Sequence, residues 1–362
     1  MIEYENLKKT NKSFLNTFKT EYEKFCFRGQ YILSKNVVSF EKNFSSFLNA
    51  SFCTGVGNGL DALILSLESL RLPKNSEVIV PANTYYATIL AVLRCGLKPV
   101  LVDPDYYTCN INHKEIVKKI SKKTRVILVV HLYGKVCEMD SIIKICKEHK
   151  LYLVEDCAQA HGAKYKEKFA GTFGDFGCFS FYPTKNLGSL GDGGAVTSKT
   201  KKNDRTIKML RNYGSIERYK NEIIGFNSRL DEFQAAFINI KLKYLNNINA
   251  HKRNLASIYN KNLSNRFVKP AIHKDHFDVF YVYNIRTHRR DELQKFLKKK
   301  KIITDIHYPL PPYKQKAIKV LFENQKFPIS DEIHKTTLSL PISYMNTEKE
   351  IEKVCHIVNK FI

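Results

Sequence analysis

The chain has 362 residues, long enough for a sizeable core and for one large domain with a smaller partner. Lysine and arginine outnumber the acids 59 to 35, a formal charge of +24, yet the basic residues are scattered. The short runs at 199–202 and 298–301 carry no interleaved aromatics for base stacking, which argues against a nucleic-acid surface.

No stretch approaches the roughly 18 apolar residues of a membrane helix, and the charged start MIEYENLKKTNKS has no apolar signal-peptide core. The nine cysteines include no CxxC pair and read as reduced thiols. A cytoplasmic protein with no membrane partner and no metal is expected.

Residues 1–27 alternate charged and aromatic positions and predict a leading helix; Gly29 opens a turn. Val37, Phe40, Phe44 and Leu48 recur at helical spacing, so 37–48 is an amphipathic helix with its aromatics in the core. FCTGVGNGLDALILSLESLRL then gives a short strand, glycines at 55, 57 and 59, and a periodic helix. The spacing is not the dinucleotide fingerprint GxGxxG. Asn58, Gly59 and Leu60 fall at the helix N-terminus, where free amides form an anion site. Strands and helices alternate from there: strand SEVIVP, helix 83–93, strand KPVLVDP, helix 114–121, strand TRVILVVHLYG, helix 139–149, strand LYLVED. That alternation predicts a mainly parallel sheet covered by helices on both faces. Asp103 and Asp156 both end strands. Asp103 precedes a proline and reads as a turn cap; Asp156 lies where open α/β sheets bind ligands.

The stretch DFGCFSFYPTKNLGSLGDGGAV, 175–196, is the centre of the chain. A buried aromatic strand leads to Lys185, and glycines at 188, 191, 193 and 194 follow it. Such surroundings can hold an amine in a dry pocket, and a desolvated lysine can form a Schiff base with a carbonyl compound. Ser180, five residues earlier, offers a hydroxyl suited to a phosphate oxygen. Beyond this loop a polar stretch leads to an amphipathic helix from Asp231, and 260–274 is polar with little periodicity. The expected division is a large domain over 1–249 and a small α/β domain over 250–362.

GVGNGLDAL, PANTYYAT, VVHLYG, VEDCAQAHGA, GTFGDFGCFSFYPTKNLGSLGDGGAV, RNYG, NSRLDEFQAA, IHYP and SLPIS follow one another over nearly the whole chain. Together they resemble the DegT/DnrJ/StrS family of sugar aminotransferases. The resemblance implies a fold-type I, aspartate aminotransferase-like α/β enzyme that uses pyridoxal 5'-phosphate and works as a homodimer with shared active sites. It implies roles by position. Lys185 holds the cofactor covalently, as relatives that aminate carry lysine there. Asp156 pairs with the pyridine nitrogen, Gln159 reaches the phenolic oxygen, and Tyr85 stacks on the ring. Ser180 and the amides of Gly59 and Leu60, at the turn that Asn58 opens, hold the phosphate. Asn227 completes the phosphate site of the other subunit. Ser34 stands where a glycine is often found, which leaves that turn's geometry open.

The family's chemistry implies L-glutamate as amino donor and a nucleotide-linked keto sugar as acceptor. GNGLDAL with EDCAQAHGA resembles the branch acting on dTDP-3-keto-6-deoxyhexoses, giving dTDP-3-amino-3,6-dideoxyhexoses for surface glycans or glycosides; a 4-keto sugar on dTDP or UDP is the alternative. Tyr182, Tyr213, Tyr219, Arg229, His307 and Tyr308 are the candidate substrate contacts at the entrance, and His161 the candidate contact to the sugar. Alternatives stand beside several of these. Tyr85 and His161 would also suit a core, Arg229 could pair with Asp231 or Glu232, and His307 and Tyr308 could shape a turn before Pro309.

Overall fold

A computed structural model describes residues 1–361. Seven strands form the central sheet: β1 Phe52–Val56, β2 Glu77–Pro81, β3 Lys98–Val102, β4 Thr124–Val130, β5 Tyr152–Asp156, β6 Phe176–Ser180 and β7 Gly194–Ser198. Their order is β1-β7-β6-β5-β4-β2-β3. Only β7 runs against the others, pairing antiparallel with both β1 and β6.

The strands are apolar on both sides because both sides are covered. In β4, Val126, Leu128 and Val130 enter one core while Ile127 and Val129 enter the other. One face is sealed by the helix Lys35–Leu48, whose Phe40 and Phe44 meet Phe181 and Phe179 edge-to-face at 5.3 and 5.0 Å. The predicted stripe on that helix is therefore core. Its N-terminus is fastened by Glu232, which accepts from the amides of Ser34, Asn36 and Val37. Ser34 itself has an extended backbone, and the left-handed residue of the turn is Leu33, at φ +47°.

The smaller unit has its own core, from Leu255, Tyr259, Tyr283, Ile285, Leu338 and Val354 among others. Its strands Tyr283–Arg286 and Thr337–Leu340 pair antiparallel. The expected division at 249/250 falls inside the helix Leu245–Asn262. Leu245 near its start belongs to a core of the large sheet, and Leu255 and Tyr259 to the small unit's core, so one rigid helix serves both.

The leading helix is interrupted. Residues 1–5 are not helical; short turns span Leu7–Thr10 and Lys12–Phe14, and only Leu15–Arg28 is a full helix. Ile2 is buried in the small unit's core beside Ile302, a contact that outweighs local helical spacing. Asp103 is a cap, as expected, but of a distant element: its carboxylate accepts from the amides of Ile329 and Ser330 in the helix Pro328–Thr336.

Candidate active site

β1, β4, β5 and β6 run parallel, so their C-terminal ends share one edge of the sheet. Asp156 ends β5 and Ser180 ends β6. Register places Ser180 opposite Gly194, and Gly194 opposite Val56, the last residue of β1. The row across three strands delivers Ser180 to the start of the helix Gly59–Ser69. The contact is so close that a Cβ on Gly59 would lie 2.5 Å from the Cβ of Ser180. Asn58 caps this helix, its Oδ1 accepting from Asp61 N at 2.8 Å, while its carbonyl accepts from Ala62 N. Its side chain is thus spent on the cap, and the amides of Gly59 and Leu60, in the first turn, have no intrahelical acceptor. Two amides, a hydroxyl and a helix N-terminus suit a phosphate.

Asp156 is buried, accepting from Thr88 Oγ1 at 2.9 Å and Ala158 N at 3.1 Å. Burial pushes its carboxyl above the usual range, and those two hydrogen bonds oppose the shift. A buried carboxylate in this state is best satisfied by a cationic partner such as a protonated ring nitrogen. Neighbouring Glu155 is structural. It accepts from the amides of Gly171, Phe173 and Gly174 and bonds His131 Nε2 at 2.9 Å, fastening the turn that enters β6. His131, Glu155 and Cys157 lie within metal-ligand range of one another, but both oxygens of Glu155 are already engaged.

Lys185 follows a tight turn closed by its own N–H to the carbonyl of Tyr182. A Cβ at Gly188 would meet the carbonyl oxygen of Pro183 at 2.2 Å, so only glycine lets the loop fold back there. Buried side chains hold this loop from behind. Lys241 Nζ donates to Gly188 O at 2.7 Å, Lys252 Nζ to Asn186 Oδ1 at 2.8 Å, and Asn186 Nδ2 to Asn249 Oδ1 at 3.0 Å. Burial draws both ammonium groups down to about 8. The Lys185 amine lies over the ring of Tyr281, 4.1 Å from its centroid.

Of the other expected contacts, the structure brings Tyr85, Gln159, His307 and Tyr308 together. Tyr308 Oη accepts from Gln159 Nε2 at 2.8 Å, and its ring is 5.2 Å from that of Tyr85. Gln159 Oε1 accepts from Tyr133 N at 2.7 Å, leaving a second amide hydrogen for a ligand oxygen. His307 bonds Ser339 Oγ at 2.9 Å, and burial lowers its imidazole to about 4. Tyr85 is 55% exposed and free to meet a ring, which sets aside the core alternative for it.

His161 lies inside the fold. Its ring is fully buried between Phe179 and Phe181, 5.7 and 5.6 Å from their centroids, and burial lowers it to about 3. It is a buried ring within the aromatic layer, near enough to Lys185 for that charge to add to the shift, and neither of its nitrogens has a hydrogen-bond partner among the described residues. The next residue, Gly162, has a left-handed backbone.

Tyr182 is exposed beside Lys185, whereas Tyr213, Tyr219, Asn227 and Arg229 form a separate outer group. Arg229 Nη1 donates to Asn212 Oδ1 at 3.0 Å and lies over Tyr213, in place of the acids considered for it. Tyr219 is 85% exposed beside the hairpin strands Ser215–Glu217 and Lys220–Asn221. Asn227 is exposed, while Ser228 is tied to Gly57 N and Asp61 of the same chain. Among the described residues, no hydrogen bond or ring contact joins this group to Lys185.

The sequence-family description "DegT/DnrJ/EryC1/StrS aminotransferase family" matches residues 15–359. The chain belongs to this family. It is a pyridoxal-phosphate-dependent aminotransferase of the fold-type I, α/β class. It is 44% identical over 362 residues to a dTDP-3-amino-3,6-dideoxy-alpha-D-galactopyranose transaminase of Aneurinibacillus thermoaerophilus, covering 100% of this chain and 99% of the relative. A crystal structure of S. venezuelae DesV in complex with a ketimine intermediate superposes with a TM-score of 0.97 at 35% identity, covering 99% and 98% of the two chains. A Bacillus subtilis NtdA structure with bound cofactor PMP gives 0.92 at 26% identity, with 99% and 85% covered.

The residues present fit the aminotransferase's cofactor. The glycine-lined helix start with Ser180 suits the phosphate, buried Asp156 the ring nitrogen, and Lys185 the covalent bond. Thr88, Lys241, Lys252 and Tyr281 escaped sequence reading. Thr88 sits one turn beyond Tyr85 in PANTYYAT and could have been found as a hydroxyl facing the acid; the others have no local signal.

Proposed function

We propose that this aminotransferase moves the amino group of L-glutamate to the C3 ketone of a dTDP-3-keto-6-deoxyhexose, releasing a dTDP-3-amino-3,6-dideoxyhexose for surface glycans or glycosides. The observation that carries it is the 44% identity over the full length of a dTDP-3-amino-3,6-dideoxy-galactopyranose transaminase, which also favours the galacto product. When bound, pyridoxal phosphate supplies the electron sink that acidifies the donor's α-carbon and carries the amino group between half-reactions. Lys185 holds the cofactor, then moves a proton to and from the α-carbon as a free amine. Asp156 stabilises a protonated ring nitrogen, with Thr88 fixing its orientation. Ser180, Gly59 and Leu60 anchor the phosphate, Tyr85 covers the ring, and Gln159, bonded to Tyr308 of the small unit, closes the site. His307, neutral and braced by Ser339, offers Nε2 to a sugar hydroxyl.

The outer group of Tyr213, Tyr219, Asn227 and Arg229 belongs, with Tyr182 beside Lys185, to a shared site in this reading. Asn227 completes the partner's phosphate seat, and Arg229 with the tyrosines meets the partner's diphosphate. The exposure of Tyr182, Tyr213, Tyr219 and Asn227 in a single chain, alongside exposed Ile216, Ile224 and Phe226, supports a homodimer. The enzyme works in the cytoplasm, and the domains divide near the helix Leu245–Asn262. Incubation with glutamate and either a 3-keto or a 4-keto dTDP-6-deoxy sugar, followed by mass spectrometry, tests the assignment. Amination of the 4-keto sugar alone would overturn it. Mixing Lys185→Ala with Asn227→Asp chains tests sharing: exchanged dimers should regain activity, since one of their two sites carries neither change.

A further inference from the structure

Among the described residues, the amine of Lys185 meets no hydrogen-bond acceptor; it rests on the face of Tyr281. That ring is unusually well fixed. The N–H of Tyr281 donates to Tyr133 O at 3.0 Å, its carbonyl accepts from Lys252 Nζ at 3.1 Å, and its hydroxyl shares a hydrogen with Thr184 Oγ1 at 3.3 Å. Phe280 before it has φ +44°, a left-handed backbone that side chains rarely adopt, and this turn aims the next ring at the lysine loop. Lys252 links both ends of the contact, holding Asn186 next to the lysine and Tyr281 beneath it.

Transamination requires Lys185 to be unbonded for part of each half-reaction. A carboxylate or carbonyl at the amine would hold it as an ion pair or strong hydrogen bond and blunt it as a base. An aromatic face holds an ammonium group by a weaker, less directional attraction, from which the amine can swing back. Resting on the aminotransferase reading, we propose that Tyr281 is a positioning residue that provides the resting place of the Lys185 amine whenever it is not bonded to the cofactor, with Lys252 keeping that ring in register.

The test uses the full chain loaded with pyridoxamine phosphate, in which no covalent bond ties Lys185. Position 281 is filled with phenylalanine and with its mono-, tri- and pentafluoro forms, which drain negative potential from the ring face at nearly constant shape. Acylation of Lys185, read by peptide mass spectrometry against exposed Lys144 as internal standard, should accelerate stepwise along the series, by about threefold or more at pentafluorophenylalanine. The α-deuterium isotope effect on the glutamate half-reaction should rise in the same order, because the proton transfer that Lys185 performs becomes more limiting. Lys252→Met should move both readouts in the same direction by less. A labelling rate that stays flat across the fluorinated series would overturn the proposal. The labelling needs no turnover, so a chain that fails to aminate sugars but shows the stepwise acceleration would refute the functional reading while leaving the resting place intact.

Discussion

The front and the back of the lysine pocket are built on different principles. The front is made by backbone and short side chains at the ends of adjacent strands: the Gly59 and Leu60 amides, Ser180, and Asp156 with Thr88. The back is made by polar side chains from two helices, Lys241 from one and Asn249 and Lys252 from the next, and by aromatic rings from the small unit, Tyr281 and Tyr308. The front suits a phosphate and a ring nitrogen, charges whose positions sheet register can set. The back sets where the lysine points and what the second domain brings in, and that depends on how two cores meet along one helix.

The sharpest break in the comparison is at the residue both sides enclose. Lys185→Ala should leave no measurable transamination and no visible absorbance from a covalently held cofactor; normal turnover in that variant would discard the assignment. Next in size is the front acid. Asp156→Ala should lower turnover on the order of 10²–10³-fold while the fold survives, because the ring nitrogen loses its charged partner. Retained activity would move that role elsewhere.

Gly59→Ala probes the front by geometry alone. Its Cβ would force Ser180 away, at a cost of about 1–3 kcal/mol, roughly tenfold to hundredfold in cofactor dissociation constant. An unchanged constant, measured by titration of the apoenzyme, would show that the phosphate lies elsewhere.

Acid should weaken the back and spare the front. His161 is lowered to about 3, and His307 and His334 to about 4, all by burial. Unfolded histidines titrate near 6.5. Between pH 6.5 and 4 the unfolded chain therefore binds protons that the folded chain refuses. The stability these rings contribute is whole above 6.5 and is lost as pH falls, by about 1.4 kcal/mol per pH unit for each ring. Asp156, raised in the folded state, has the opposite sign: its contribution grows as pH falls and is lost as pH rises. Urea unfolding across this range should show the loss, and His161→Leu should reduce the slope by one ring's share; an unchanged slope would mean the ring is not buried neutral in solution.

The smallest effect is expected where the two domains touch. Tyr308→Phe removes the acceptor for Gln159 Nε2, worth about 0.5–1.5 kcal/mol. The KM for the keto sugar should rise several-fold with the glutamate half-reaction unchanged. Equal damage to both half-reactions would place Tyr308 at the cofactor instead of the sugar.

Much of the front was legible because it is written in contiguous motifs. An apolar strand ending in an acid, a glycine-broken turn before a periodic helix, and an aromatic strand running into Lys185 each impose local geometry, and parallel pairing brings their ends to one edge whatever lies elsewhere. The strand-helix alternation fixed the layer order for the same reason: buried strands are apolar on both faces, and surface helices are not. The burial of His161 was not legible, because a residue two positions past Gln159 shares its motif while its ring packs against Phe179 and Phe181, rings supplied by a neighbouring strand and the loop after it.

The back was decided only by tertiary structure. Lys241 and Lys252 look like surface lysines in a chain holding 59 lysines and arginines, and nothing local says that their helices press them against the loop at Asn186 and Gly188. Tyr281 is one aromatic in FYVY until the turn at Phe280 aims it. The start of the chain passes for helix until Ile2 finds the small unit's core. Local pattern determines what a residue can do to its near neighbours. Where long side chains from remote elements converge, the balance of burial, hydrogen bonding and chain entropy over the whole fold decides, and a single sequence carries that balance without displaying it.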